Sequence, residues 1–395
     1  MTMYWLNGVV TGLVSSNAQP YAFGVGLARR MLWNWLVKVV GWTDVQKSGT
    51  KWDNPTLIGS DGVTDAADHR IFTSAAQTFT QAMEGYWLMI KSGCTDPTKH
   101  GFWRINRYVS DHVIMVEPLW GNDSVGLPLS QTGLGFEVLD LTSVSKVPTD
   151  GDYFVVGGAG IGGTFHLKCR ISNTAVSYNG ELWQLSPFDD WTAGAWKTPN
   201  RITSETALAH LPGADLAVTF AFADQNHLFL FQRTYNFTWS IQDTYLMYAG
   251  DFSAYDPTHD TRPVVLACTK LATWLDEIGT VAEFTACPKM VSPDYLVPIS
   301  GYLMHPSINV DAYEHSLDSS IRHRSWHSGR FMGLPLVVVA TAAGACGVRG
   351  ELKDLRLGHL WGPRVCSPYG TGKTRFRLGT LSMPWNGSFQ RRFMY

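Results

Sequence analysis

The feature that most limits the fold of this chain is a series of short β-type segments beginning after Gly85. Each segment is rich in β-branched or aromatic residues and is bounded by Gly, Asn, Asp or Pro. Many recur about every eight to twelve residues, a spacing typical of antiparallel sheets rather than of alternating strands and helices. The predicted strands are residues 86–91, 102–108, 112–117, 136–139, 153–156, 164–171, 217–222, 228–233, 244–249, 264–269, 334–340, 349–357 and 374–381.

Two helices are predicted ahead of most of these strands. In Tyr21–Val40 apolar residues recur at spacings of three and four, which places them on one broad stripe, and Gly41 supplies a stop. Ala66–Met83 has a similar spacing, and Asp65 or Asp68 is placed to cap its first turn.

The remaining segments define the predicted domains. Ser48–Thr64 is rich in Gly, Asn, Asp and Pro and is predicted to be a loop, and Leu271–Phe284 is predicted to hold one short helix. The polar stretch Ser143–Asp152 predicts a boundary near residue 145, and a weaker break is predicted near 290–300. The expected fold class is α+β and β-rich. Its parts are an N-terminal helix-containing α+β domain (1–145), a central, mostly antiparallel sandwich or barrel-like domain (146–295), and a C-terminal β segment (296–395) that either continues the central domain or stands apart.

Composition narrows the possible partners. Charged residues are only 16% of the chain, the formal net charge is -2, and the basic residues are scattered, so no nucleic-acid partner is predicted. The longest apolar run, Gly333–Gly344, is too short to cross a bilayer, and the first residues lack the basic region of a secretion signal. No two of the six cysteines have the CxxC spacing, which indicates thiols made in a reducing cytoplasm.

The sequence GTGKT near the C-terminus resembles a phosphate-binding loop. The motif requires a Gly, four further residues and then Gly-Lys-Ser/Thr, but Ser367 occupies the first position ahead of Gly372-Lys373-Thr374. The residues after Thr374 alternate like a strand, whereas the motif must open a helix that faces the phosphates. We therefore predict a turn that leads into a strand.

A second glycine motif, formed by Gly158, Gly160 and Gly163, has the G-x-G-x-x-G spacing of dinucleotide-binding proteins. That site requires a helix directly after the glycines. Here the following residues, Thr164–Ile171, have the pattern of a strand. The interpretation is a glycine-rich hairpin loop.

Three further clusters were weighed as sites. His323 and His327 lie four residues apart, with His315 upstream, but neighbouring arginines oppose a cation, so a polar surface or interface segment is favoured. Asp251, Asp256 and Asp260 lie among aromatic residues, where glycoside hydrolysis, Ca²⁺ binding and a capped turn are all open, with the turn favoured. Tryptophans concentrate in the first third of the chain, and core or interface packing is favoured over sugar stacking. They are Trp33, Trp35, Trp42, Trp52, Trp87, Trp103 and Trp120.

Three stretches together resemble minor structural proteins of tailed-bacteriophage virions, of the kind encoded among tail and baseplate genes. The first comprises VVGWTDVQKSG and ADHRIFTSAAQTFTQAMEGYWLMIKSG, and the second comprises GDYFVVGG and TFHLKCRI. The third is the closing order GLPLVVVA, CGVRGELKDLRLG and TGKTRFRLGTLSMPWNGSF. The resemblance lies in the general character of these stretches and in their order, and it covers most of the chain. It implies a β-rich assembly subunit with no catalytic residues to carry over.

The expected function is therefore that of a structural subunit of a bacteriophage virion, in the tail or baseplate, and not of an enzyme. No catalytic, cofactor-binding or metal-binding residues are predicted. The expected partners are other virion proteins and further copies of the chain in a symmetric assembly, without nucleic acid or membrane insertion, and the expected location is the virion. Two alternatives stay open: a carbohydrate-binding or glycan-cleaving host-recognition protein, and a capsid-associated or portal-adjacent protein.

Overall fold

The computed structural model describes most of the first 250 residues and, beyond them, mainly single strands. The described residues are 4–12, 20–96, 99–117, 126–160, 163–172, 180–186, 191–197, 206–209, 216–235, 241–251, 253–254, 258, 264–271, 282–284, 290–291, 296–297, 300–304, 332–333, 336–341, 344–351, 355–359 and 374–378.

The long helix, α1 (Pro20–Trp35), continues into a π-helical turn, Leu36–Val40. Gly41 ends it in the left-handed conformation, with φ of 90°. The amides of Gly41 and Trp42 both donate to the Leu36 carbonyl, at 3.0 and 2.9 Å. The helix predicted for Tyr21–Val40 and its glycine stop are confirmed.

The strands account for most of the remaining described structure. In chain order they are β1 Tyr4–Gly12, β2 Thr43–Lys47, β3 Leu57–Thr64, β4 Ile71–Thr73, β5 Trp87–Ser92, β6 Gly101–Ser110, β7 Val113–Val116, β8 Leu134–Leu139, β9 Tyr153–Gly160, β10 Gly163–Ser172, β11 Gly180–Ser186, β12 Trp191–Thr192, β13 Ala195–Trp196, β14 Thr206–Ala209, β15 Leu216–Ala223, β16 His227–Tyr235, β17 Ile241–Gly250, β18 Ser253–Ala254, β19 Val264–Leu271, β20 Ala282–Phe284, β21 Met290–Val291, β22 Leu296–Val297, β23 Ser300–Met304, β24 Met332–Gly333, β25 Leu336–Thr341, β26 Gly344–Glu351, β27 Leu355–His359 and β28 Thr374–Leu378. Short 3₁₀ turns occur at Gln81–Met83 and Val144–Lys146. The expectation of a β-rich, antiparallel fold is confirmed.

Two five-stranded antiparallel sheets share a core with α1. Their strand orders are β1-β15-β16-β17-β19 and β14-β11-β10-β9-β2. The shared core contains Trp35 from the helix, Leu230 from the first sheet and Phe154 from the second. From Gly26 to Leu36 every residue of the helix is buried, so the helix is enclosed on all sides rather than along the single stripe that the spacing predicted. The fit is close at Gly26, where an added Cβ atom would lie 2.0 Å from the Pro148 carbonyl oxygen.

A closed six-stranded antiparallel barrel lies between β2 and β9 in the chain, with strand order β3-β4-β7-β6-β5-β8. Closure comes from β8, which pairs with β5 on one side and with β3 on the other. The interior holds a second core of aromatic and aliphatic side chains. Its buried members are Phe72, Phe79, Met83, Leu88, Ile90, Trp103, Ile105, Ile114, Val116, Leu127, Leu134, Phe136 and Val138.

The predicted loop Ser48–Thr64 is wrong in its second half, because Leu57–Thr64 forms strand β3. Its glycines are needed inside a narrow barrel. A Cβ atom at Gly59 would lie 2.4 Å from the Phe136 ring, and one at Gly62 would lie 2.5 Å from the Phe72 ring. Glycine often indicates a loop, but here its lack of a side chain leaves space for aromatic rings inside the barrel.

The predicted helix Ala66–Met83 is also wrong. Ile71–Thr73 forms β4, and only Gln81–Met83 is helical, as a 3₁₀ turn. Backbone amides of this segment donate to carbonyls of the turn between β6 and β7. Ser74 donates to the His112 carbonyl at 3.0 Å, and Phe79 donates to that of Asp111 at 2.7 Å. The predicted cap, Asp65, accepts from the amides of Ala67 and Asp68, but the structure that it caps is a turn.

The strand β18 and the described strands after β19 form three further sheets, the first of which also has five strands. Their orders are β18-β26-β25-β23-β20, β21-β22 and β24-β27-β28. The two ends of the predicted helix Leu271–Phe284 are strand residues, in β19 and β20, and residues 272–281 lie outside the described part. Among the helices that the structure describes, none combines the length and the apolar character needed to cross a membrane.

Candidate functional site

A stripe of polar side chains runs along one face of helix α1 and its π turn. Arg30, Asn34 and Lys38 are four residues apart and therefore lie on one face. That face meets the two chain segments connecting the barrel to the rest of the fold: residues 52–54 before β3 and residues 137–146 at the end of β8 and after it. We call the three residues and their partners the barrel junction.

Arg30 is the centre of the barrel junction and is 2% exposed. Its guanidinium donates to the carbonyl of Asn54 at 2.9 Å, to that of Asp140 at 3.3 Å, and to that of Lys146. Burial lowers the pKa of Arg30 to about 10, although the nearby acidic groups oppose that shift. The side chain therefore stays charged at neutral pH and holds the entry and exit of the barrel together.

Asn34 adds a hydrogen bond to the segment that precedes the barrel, residues 52–54. Its amide nitrogen donates to the Trp52 carbonyl at 3.0 Å and to the Arg30 carbonyl of the preceding helical turn at 2.9 Å. Asn34 and Trp52 are both fully buried, so this amide satisfies a backbone acceptor that water does not reach.

Lys38 and Glu137 form the outer end of the barrel junction. Alternation along β8 places Phe136 and Val138 inside the barrel, so Glu137 points outward to the helix. Glu137 is 3% exposed, and each of its oxygens accepts from one ammonium group: Lys38 at 2.6 Å and Lys91 at 2.9 Å. The buried carboxylate is thus paired on both sides, as a buried charge requires.

The barrel junction is suited to attachment rather than to chemistry. Its acceptors are backbone carbonyls and a carboxylate that two ammonium groups already neutralise. Catalysis by a carboxylate needs a group whose pKa and access allow proton transfer or nucleophilic attack. Here the charges instead fix the direction in which the barrel leaves the helix.

A second polar cluster lies at the hairpin Asp224-Gln225-Asn226, which joins β15 to β16 as the sequence predicted. Oδ1 of Asp224 accepts from the amides of Asn226 and His227, at 2.7 and 2.8 Å, and Nδ1 of His227 lies 2.9 Å away. The Trp42 indole donates to the Asp224 carbonyl at 2.7 Å. This is a capped turn bound to the segment after the helix.

Asp251 belongs to the same cluster and was the first of the three carboxylates weighed for catalysis or metal binding. It is buried, and its Oδ2 accepts from the side-chain amide of Asn226 at 3.1 Å. Its own backbone amide donates to the Asn226 carbonyl at 3.1 Å. Asp251 therefore stabilises the hairpin between β15 and β16. The interpretation of its own segment as a capped turn stays a prediction, because Asp256 and Asp260 lie outside the described residues.

The tryptophans of the first third are core residues, as favoured over sugar stacking. The buried members of that set are Trp33, Trp35, Trp42, Trp52, Trp87 and Trp103. Trp120 lies outside the described residues. Edge-to-face contacts fix several of these rings, such as Trp42 on Phe165 at 5.5 Å and Trp52 on Phe154 at 5.1 Å.

Both glycine motifs lead into strands. Gly160 and Gly163 pair across the β9–β10 hairpin, and an added Cβ atom at Gly158 would lie 2.4 Å from the Phe165 ring. These glycines therefore shape a hairpin, as predicted. Thr374 of GTGKT begins β28, which pairs with β27, so a strand and not a helix follows the motif; residues 367–373 lie outside the described part.

The polar stripe was missed at the level of sequence, although a signal for it was present. The helical spacing of the apolar residues was noted, but Arg30, Asn34 and Lys38 show the same four-residue period within that helix. Charged residues inside a largely apolar helix indicate a buried polar or ionic contact. Glu137 gave the matching signal as a lone charge in an apolar strand.

Within the part of the chain that the structure describes, no group of three or more His, Cys, Asp or Glu side chains is placed to hold a metal ion. His315, His323 and His327 lie outside that part. No family model matches this chain, and no curated protein or solved structure shows significant similarity to it.

Proposed function

We propose that this protein is a structural subunit of a bacteriophage virion, in the tail or baseplate, and that it acts through protein–protein interfaces rather than through catalysis. The observation that carries the structural role is the barrel junction. The buried Arg30 and Asn34, the half-buried Lys38 and the buried Glu137 together connect the helix to the strand and chain segments of a closed barrel.

The virion placement rests on the resemblance of the chain to minor virion proteins and on its composition. Low charge and 16 tryptophans suit a subunit that covers much of its surface with neighbours. Open sheets add a means of contact, since an outer strand offers unpaired backbone groups to a partner strand. The partners in this proposal are other virion proteins and further copies of the chain.

We propose further that the N-terminal domain predicted for residues 1–145 consists of the barrel, and that the two five-stranded sheets, which include β1 and β2, are the layers of a sandwich-like central domain. The complete barrel lies within residues 57–139, which supports the first part. The single core that joins both sheets with α1 supports the second. The pairing of β2 with β9 and the bond from Arg30 to Lys146 cross the predicted boundary near residue 145, so the segment before the barrel is part of the central domain in this proposal.

Mass photometry of the purified full chain tests the assembly role. A subunit that works through its surfaces is expected to form discrete oligomers whose population rises with protein concentration. A single monomeric mass at every concentration would count against assembly of this chain with itself. The capsid-associated alternative differs only in location, so imaging of the particle decides between the two.

A further inference from the structure

The short hairpin β12–β13 presents the one described tryptophan whose side chain is partly exposed. Trp196 has intermediate exposure, while the other tryptophans with described side chains are buried. Those buried tryptophans are Trp33, Trp35, Trp42, Trp52, Trp87, Trp103, Trp183 and Trp191. Among the tryptophans with described side chains, a partly exposed ring is therefore the exception.

The hairpin is held tightly on the face of the second sheet that points away from the shared core. Its two turn residues, Ala193 and Gly194, have φ of 52° and 88°. Positive φ at both central positions is the geometry of a two-residue hairpin turn, and it is uncommon for alanine. Trp191 packs edge-to-face against Trp196, with centroids 4.8 Å apart, so the exposed ring rests on a buried one.

Polar groups of three strands contact Trp191, the buried ring of this pair. Gln46 of β2 accepts from the Trp191 indole and donates to the Tyr153 hydroxyl at 2.9 Å. The Lys168 ammonium lies 5.2 Å from the Tyr153 ring centroid and 5.3 Å from that of Trp191. Gln46, Tyr153 and Lys168 are all partly exposed, so an amide, a phenol and an ammonium line the rim of the aromatic surface.

We propose that this surface, formed by Trp196, Trp191, Tyr153, Gln46 and Lys168, is a binding site for a pyranose sugar. A pyranose ring has an apolar face of C–H groups that stacks on an indole and a rim of hydroxyls that both donate and accept hydrogen bonds. The amide and the phenol can do the same, and the ammonium donates. A cationic ligand is disfavoured because Lys168 already places a positive charge over two of the rings.

The sugar site does not depend on the virion role, and it differs from the glycan-cleaving alternative because it uses no carboxylate. Asp251, the described member of the acidic cluster, bonds to Asn226 in a different part of the fold. The proposed activity is binding alone.

The test applies the full-length chain to an array of neutral and acidic hexopyranosides. The best binder is then measured by calorimetry and by saturation-transfer NMR. Trp196→Ala is expected to weaken binding about tenfold or more, a loss of about 1.4 kcal/mol or more. Trp196→Phe keeps an aromatic ring and is expected to retain most of the affinity. Thr192→Ala, an exposed change on the same hairpin, is the matched control and should bind as the unchanged protein does.

Absence of any array signal from the unchanged protein would overturn the proposal. Equal binding by Trp196→Ala and the unchanged protein would overturn it as well. If Trp196→Ala dissociates oligomers and leaves glycan binding unaltered, the ring is a protein contact and the sugar site is wrong. Loss of glycan binding with unaltered oligomers supports the sugar site and leaves the assembly role intact.

Discussion

The guanidinium of Arg30 and the backbone carbonyl of Asn54 are joined by a hydrogen bond of 2.9 Å inside the protein. The same guanidinium donates to the carbonyl of Asp140 at 3.3 Å. Asn54 lies just before the first strand of the barrel and Asp140 directly after its last strand. One buried side chain of the central helix therefore fixes both connections of the barrel at once.

Replacing Arg30 should destabilise the whole protein. Arg30→Met removes the donor to three backbone carbonyls and leaves them buried, which is expected to cost about 2–4 kcal/mol of unfolding free energy. Arg30→Lys keeps the charge but loses the fork of donors and should recover only part of the loss. Urea denaturation measures both. Arg104→Ala, at a half-exposed position of the barrel, is the matched control and should change stability by no more than about 0.5 kcal/mol.

The pair of Lys38 and Glu137 should show strong energetic coupling. Either single change, Lys38→Met or Glu137→Gln, disturbs a nearly buried charge cluster and is expected to cost roughly 2–4 kcal/mol. The double variant should lose less than the sum of the singles, because Glu137→Gln removes the nearly buried negative charge that Lys38→Met alone leaves paired only with Lys91. The exposed pair Lys47 and Asp44 supplies the comparison cycle, where coupling below about 1 kcal/mol is expected. Additive losses at Lys38 and Glu137 would contradict the proposed attachment.

The glycines of β3 should be irreplaceable for reasons of space. Gly59→Ala and Gly62→Ala each force a methyl group into an aromatic ring inside the barrel, and each is expected to cost about 1–3 kcal/mol in thermal or urea unfolding. Gly101→Ala in β6 is the matched control: the atom nearest to its added Cβ is 3.8 Å away, in the Trp103 ring. That change should be neutral, or stabilising by up to about 1 kcal/mol. Equal losses at all three positions would contradict the packing explanation.

The Cys94 thiol should be slow to react at neutral pH. Burial, with a smaller contribution from Asp96, raises its pKa to about 11. Because the thiolate is the reactive form, its fraction stays small at pH 8 and rises about tenfold per pH unit up to that pKa. Mass spectrometry of the alkylated Cys94 peptide after timed iodoacetamide treatment measures this. Asp96→Asn should move the rate profile to lower pH, and a rate that levels off near pH 9 would contradict the raised pKa.

Sequence patterns predicted the parts of the fold that depend on local chemistry. The helix ending at Gly41 and the hairpin between Gly160 and Gly163 were both predictable, because a glycine stop and a glycine turn act within a few residues. The barrel was not identified as such. Phe72 and Phe79 are seven residues apart, which fits a helix, yet both rings meet Phe136 of a distant strand. The rings meet because β4 and β8 both pair with β3 in the barrel.

The barrel junction was missed for a related reason. Sequence patterns show which residues share a helix face, but they do not show which distant carbonyl that face will meet. Arg30 donates to backbone carbonyls, those of Asn54, Asp140 and Lys146. Every residue has such a carbonyl, so no side chain in the sequence indicates these contacts. The contacts of Arg30 therefore became identifiable only from the fold.

The most direct test of the central proposal is cryo-electron microscopy of particles from a bacteriophage whose genome encodes this chain, combined with peptide mass spectrometry of the purified particles. The account predicts that the chain is present in stoichiometric amounts in the tail or baseplate, with density for the six-stranded barrel fixed beside the helix at the barrel junction. Purified, infectious particles that contain no peptides of this chain would contradict it.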